Sequence, residues 1–92
     1  MTSDRDKLSF FNETHMISII LYIYDHPGCR RTEIYKNIVR NDRMTVKIDR
    51  LISEGIVEDL SRENRGSILF LTSIGEKIAE HLQAIADLLE SD

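Results

Sequence analysis

Residues 43–57 read Arg43-Met44-Thr45-Val46-Lys47-Ile48-Asp49-Arg50-Leu51-Ile52-Ser53-Glu54-Gly55-Ile56-Val57. Met44, Ile48, Leu51 and Ile52 recur at helical spacing and give the segment one buried side. Arg43, Lys47, Arg50 and Glu54 follow at spacings of four, three and four on a side expected to face solvent, with Thr45 and Val46 beside them near the start. Gly55 is the expected left-handed terminator. Beyond it the pattern turns from period 3.6 to extended, so an amphipathic helix runs through one glycine into a strand. That switch decides the fold.

Upstream, Thr32 can cap a preceding helix whose inward residues are Ile34, Tyr35, Ile38 and Val39, with Glu33 favourable in its first turn. Arg40-Asn41-Asp42 is a tight polar turn, and Asn41 or Asp42 can cap the helix that follows. Residues 32–55 therefore read as a helix-turn-helix. Before them, Cys29-Arg30-Arg31 is a short extended link, able to hold one bridge. A first helix over 9–26 carries Phe10, Phe11, Met16, Ile17, Ile20, Leu21 and Tyr24, widened by Ile19 and Ile23. His26-Pro27-Gly28 ends it.

Downstream, residues 56–61 and 67–71 are expected to pair as a β-hairpin around a turn at Arg62-Glu63-Asn64-Arg65-Gly66, giving a wing over 56–72. Ser73-Ile74-Gly75-Glu76 spells a capping box. A last helix over 73–90 follows, its stripe built from Ile74, Ile78, Leu82, Ile85, Leu88 and Leu89. The fold class is mainly α with one small hairpin (α+β).

Length and composition agree with one small domain spanning 1–92. Hydrophobic residues are 41% and charged residues 30% of the 92, the balance of a folded chain rather than a disordered one. Cys29 is the single cysteine, which excludes an internal disulfide and suits a reducing, intracellular compartment. The longest apolar stretch, residues 16–24, is too short to span a bilayer. Met1-Thr2-Ser3-Asp4-Arg5-Asp6-Lys7 has charges of both signs, unlike a signal peptide. A cytoplasmic location is expected.

No catalytic pattern emerges. The four glycines are too scattered to cradle a phosphate, and no nucleophile elbow exists. His15, His26 and His81 sit on separate elements. His26 and Cys29 are three apart, a pairing that reads better as a helix-ending turn with a small thiol than as a metal or redox site. No enzyme activity, metal or cofactor is expected.

Charge is informative by its placement. The whole chain carries a net −4, which excludes a uniformly basic coat. Residues 30–50, however, hold seven basic and three acidic residues, a net +4, against −8 for the remainder. The positive segment coincides with the helix-turn-helix. An arginine there can reach guanine O6 and N7 in a major groove, and threonine or valine can touch thymine methyls. The hairpin tip adds Arg62 and Arg65, opposed by Glu58, Asp59 and Glu63.

The order helix, helix, helix, hairpin, helix resembles the winged helix-turn-helix regulators, including MarR-like and other small archaeal or bacterial members. Leu51-Ile52-Ser53-Glu54-Gly55-Ile56-Val57 is similar to the family's passage from recognition helix into wing. Phe70-Leu71-Thr72-Ser73-Ile74-Gly75 is similar to its passage from wing into the last helix. The resemblance covers residues from about Phe10 to Leu89 and maps the recognition helix to 43–54 and the wing tip to 62–66. It implies a transcriptional regulator binding double-stranded DNA through Arg43, Thr45, Val46, Lys47 and Arg50, with Lys36, Arg40, Arg62 and Arg65 as further contacts. No separate effector domain is expected.

Surplus apolar surface points to a second copy. The last helix, the two-faced strand Ile68-Leu69-Phe70-Leu71 and the wide first helix each offer more apolar surface than one such core needs. A two-fold homodimer through Phe10, Phe11, Ile19, Ile23, Ile78, Leu82, Ile85, Leu88 and Leu89 is expected, with recognition helices about one DNA turn, ~34 Å, apart. The other reading is a winged-helix module that binds protein and no DNA, which the acidic balance favours.

Overall fold

The computed structural model describes residues 9, 11–12, 15–38, 43–61 and 66–90. Their order is α1 (Met16–Asp25), α2 (Arg31–Asn37), α3 (Met44–Ser53), β1 (Val57–Asp59), β2 (Leu69–Leu71) and α4 (Ser73–Glu90). It is the expected order of three helices, a hairpin and a fourth helix. Phe10, Val39, Arg40, Asn41, Asp42, Arg62 and Arg65, all named above, lie outside the described residues.

Helix α1 begins at Met16, not at residue 9. His15 precedes it with φ 71°, a left-handed conformation that no continuous α-helix contains, while its carbonyl accepts the first bond, from Ile19 N–H at 2.9 Å. Met16, Ile19, Ile20 and Ile23 are buried, whereas Ile17 is exposed. The helix packs against both α4 and β2, so its broad apolar surface is covered by its own chain.

Helix α2 starts two residues earlier than a Thr32 cap would place it. Arg30 stands at its N-cap, and the Glu33 carboxylate accepts the Arg30 backbone N–H at 2.5 Å. Thr32 therefore lies inside the first turn rather than capping it. Ile34 is the one fully buried residue of this helix.

Helix α3 closes with a Schellman turn. Gly55 has φ +78°, its N–H reaches Ile52 O at 3.1 Å, and the Ile56 N–H reaches Leu51 O at 3.0 Å. Leu51 and Ile56, the two residues so joined, are both buried. The chain enters β1 directly from this turn.

The hairpin is antiparallel, pairing Val57 with Leu71, Glu58 with Phe70 and Asp59 with Leu69. Cys29 adds the anticipated one-residue bridge to Leu69, with Gly28 N–H to Leu69 O at 2.8 Å and Leu69 N–H to Cys29 O at 2.9 Å. The second face of β2 is partly covered by the chain itself. A side chain at Gly28 would meet the Phe70 ring at 3.4 Å, which places that ring over the end of α1.

The cap of α4 is Thr72 rather than Ser73. Its carbonyl accepts the Glu76 N–H at 2.8 Å and its Oγ1 accepts the Gly75 N–H at 3.0 Å. The same hydroxyl donates to Gly55 O at 2.6 Å, and the Thr72 N–H donates to Ile56 O at 3.0 Å. One residue thus caps α4 and ties it to the turn after α3.

Candidate nucleic-acid interface

Helix α3 is held by Met44, Ile48 and Leu51, all buried. At about 100° per residue, its outermost line runs through Val46, Asp49, Arg50 and Ser53, each of them exposed. Val46 keeps 60% of its surface in water, an open position for a β-branched apolar side chain on a helix. Arg43 is exposed at the N-cap, with φ 38°. Thr45 is also exposed, and its Oγ1 lies 2.6 Å from the Tyr35 hydroxyl on α2. Lys36 is exposed on α2.

Lys47 departs from the expected solvent face, being only 9% exposed. The reason is geometric. It lies three residues after Met44 and four before Leu51, so it borders the buried stripe, where a long aliphatic stem can pack. The outer face of α3 is therefore turned away from Lys47, toward Val46 and Arg50.

A second residue leaves the basic surface for a different reason. Arg31 Nη2 meets Asp49 Oδ1 of α3 at 2.8 Å and lies 3.6 Å from Asp59 Oδ2 of β1. Its Nε donates to Ser67 Oγ at 2.8 Å. Burial opposes the charge on this guanidinium, but Asp49 and then Tyr35 outweigh it and raise its pKa. Asp59 shows the mirror case. Burial opposes its ionisation, yet hydrogen bonds from the Ser61 and Ser67 hydroxyls and the Ile68 and Ser61 amides hold its pKa below the ordinary carboxylate value. Sequence reasoning counted Arg31 only as one more positive charge. Its partners lie 18, 28 and 36 residues away, and no local spacing announces them.

The apolar surfaces divide cleanly. Ile19 and Ile23, expected at a dimer face, are buried in the core of this chain because α1 lies against α4 and β2. Phe11, Ile78 and Leu82 are half-buried and packed on that core. Ile74 and Ile85 are exposed, and toward the end of α4 Leu88 and Leu89 keep 74% and 82% of their surface in water.

Cys29 is buried, and burial pushes its thiol up to about 11. The neighbouring His26 is exposed, its ring centroid 4.4 Å from that of Tyr22. A thiol so far from ionisation is a poor nucleophile and a poor metal ligand. Among the described residues, no group of three or more His, Cys, Asp or Glu is placed to hold a metal ion. No helix among them is long and apolar enough to cross a membrane.

No protein family matches the chain by sequence, and no curated protein does either. Solved structures do match. AF1382 from Archaeoglobus fulgidus superposes with a TM-score of 0.77 at 26% identity, covering 97% of this chain and 100% of that one. MepR, a transcription regulator of the Staphylococcus aureus multidrug efflux pump MepA, matches at a TM-score of 0.73 and 25% identity over 92% of this chain. The present chain spans 66% of MepR. The multiple antibiotic-resistance repressor MarR from Listeria monocytogenes matches at a TM-score of 0.67 and 24% identity, covering 95% of this chain and 66% of that one. The fold of this chain is therefore the winged helix-turn-helix, shared with MarR-type transcription regulators.

Proposed function

We propose that this chain is a homodimeric, sequence-specific regulator of transcription that acts in the cytoplasm and docks α3 in the major groove of double-stranded DNA. The observation that carries the reading is the outer line of α3, with exposed Val46 and Arg50, flanked by Thr45 and Arg43, opposite a fully buried stripe. A forked donor next to an apolar branched side chain suits a guanine edge near a thymine methyl. Lys36 is suited to phosphate, together with Arg40, Arg62 and Arg65, which the sequence contributes. The likeness to the transcription regulator MepR and to the repressor MarR supports the same assignment. Exposed Ile85, Leu88 and Leu89 supply the apolar surface that a second copy would cover.

The test is selection of bound duplexes from a random pool, followed by titration of the selected site. A two-fold-symmetric site with half-sites about one turn apart is expected, from a species that sediments as a dimer. Arg50→Ala should cost about 1–3 kcal/mol at that site if the guanidinium reads a base. Lys47 is left intact, since its burial would confuse lost contact with lost packing. Unchanged binding by the Arg43→Ala/Arg50→Ala double variant would refute the docking face. Absence of any selected duplex at low salt would leave the protein-binding role instead.

A further inference from the structure

The wing is a weak element by itself. Each of its strands is three residues long, and hairpins of that size do not hold a fixed direction unaided. On a DNA-binding domain of this shape the wing and α3 make separate contacts, so their mutual angle decides whether both can dock together. Arg31 stands where the elements meet. Rooted in the first turn of α2, it reaches α3 through Asp49, the end of β1 through Asp59 and the residue leading into β2 through Ser67. Ser67 Oγ in turn donates to Asp59 Oδ2 at 2.8 Å, and Asp59 Oδ1 accepts the Ser61 N–H at 3.0 Å and the Ile68 N–H at 3.4 Å. Both strands thus converge on one carboxylate, which faces one guanidinium. One turn further along the same face of α2, Tyr35 reaches Thr45 at the start of α3.

Resting on the DNA-binding reading above, we propose that Arg31 is a positioning residue: it clamps the wing to α3 so that the two dock on DNA as one rigid unit. The planar fork of arginine is what allows one side chain to serve separate partners, and lysine offers no such fork. The clamp matters where geometry matters. Non-specific binding is carried by phosphate charge and tolerates a loose wing, whereas reading base edges does not. Preorganising the two elements also spares the ordering cost that a loose wing would incur on binding.

The experiment compares the wild-type chain with Arg31→Met, and with Ser67→Ala as a milder break of the same clamp. Two duplexes are titrated: the one the wild type selects from a random pool, and a scrambled duplex of equal length and composition. Both variants should lose about tenfold or more at the selected duplex, as removal of a charge-assisted hydrogen bond predicts, and Ser67→Ala, which leaves Arg31 paired with Asp49, should lose less than about twofold at the scrambled one. Combining them should cost little more than Arg31→Met alone, because both act on one network. An equal fall on both duplexes by Ser67→Ala would mean a general loss of binding rather than of base reading and would overturn the proposal, as would additive losses. Native-state amide exchange supplies an arm independent of DNA. The Leu60 and Ile68 amides should exchange about tenfold faster in both variants while Ile20 and Ile23 in α1 keep their rates. Unchanged exchange at Leu60 and Ile68 would sink the clamp even if the wild type binds DNA. Faster exchange in a chain that selects no duplex would instead uphold the clamp and refute the DNA-binding reading.

Discussion

Replacing Gly75 by alanine tests the junction between the wing and α4, and it sets two rules against each other. Gly75 lies in the first turn of α4, where propensity alone predicts that alanine gains up to about 1 kcal/mol. The packing predicts the reverse. A Cβ at this position would lie 2.0 Å from the Ile56 carbonyl oxygen and 3.0 Å from its carbon, both backbone atoms that cannot swing aside. Restoring ordinary contact requires the two segments to part by about 1 Å or more. That separation stretches the Thr72 N–H to Ile56 O bond, now 3.0 Å, and the Thr72 Oγ1 to Gly55 O bond, now 2.6 Å. Two weakened hydrogen bonds at about 1 kcal/mol each, with overpacking of about 1–3 kcal/mol, outweigh the propensity gain. A net loss of about 2 kcal/mol is expected, which in a domain of this size lowers Tm by about 8–16 °C. Thermal unfolding followed by circular dichroism measures it. Gly55→Ala is the comparison, since nothing lies within 4 Å of a Cβ there and only its φ of +78° is unfavourable, about 1 kcal/mol. A Gly75→Ala melting temperature at or above that of the wild type would refute the reasoning.

Two further outcomes follow from the same structure. Ile23→Ala should cost about 2–5 kcal/mol of stability, because Ile23 is core of the single chain, whereas the Leu88→Glu/Leu89→Glu pair should leave the protomer folded and abolish the proposed dimer. Sedimentation at several concentrations, paired with melting curves, separates these effects. Asp59→Asn should be destabilising at neutral pH and much less so in acid. The folded carboxyl titrates below its unfolded value of about 3.9, so its contribution is present above that pH and disappears as pH falls through the lowered folded value. Urea titrations of wild type and variant from pH 7 downward should converge in that window, and a constant gap would mean that the carboxylate's charge is not what stabilises the wing.

Much of the fold was legible because its cues are local. The 3.6-residue stripe of α3, the glycine after it and the extended pattern that follows all lie within a few residues of the structure they specify. The failures arose where a distant segment chose between local options. Ser73 and Thr72 are both good caps, and the Ser73…Glu76 pattern favours the former. Thr72 wins because its hydroxyl also reaches the Gly55 carbonyl, 17 residues away. The stripe of α1 looked too wide for one partner, and it is, but the partners are α4 and β2 of the same chain. Lys47 was assigned by charge, although its position borders the buried stripe.

The candidate site illustrates the same division in electrostatic terms. A tally of residues 30–50 treats seven cations as equivalent, yet the structure gives them different tasks. Arg31 is turned inward to Asp49 and Asp59, and Lys47 is buried, while Arg43 and Arg50 remain on the outer part of α3. Losing Arg31 from the surface need not weaken attraction to DNA. Asp49 sits next to Arg50 on the outer line of α3, and left alone its carboxylate would repel approaching phosphates. Paired with Arg31 at 2.8 Å, its charge is partly offset, Arg31 being shared with Asp59 at 3.6 Å. The arginine that leaves the surface therefore offsets an acid on the outer face of α3, by the same set of contacts that reaches the wing. Arg43 and Arg50 stay exposed on the outer part of α3, a placement that a net charge of −4 for the whole chain conceals.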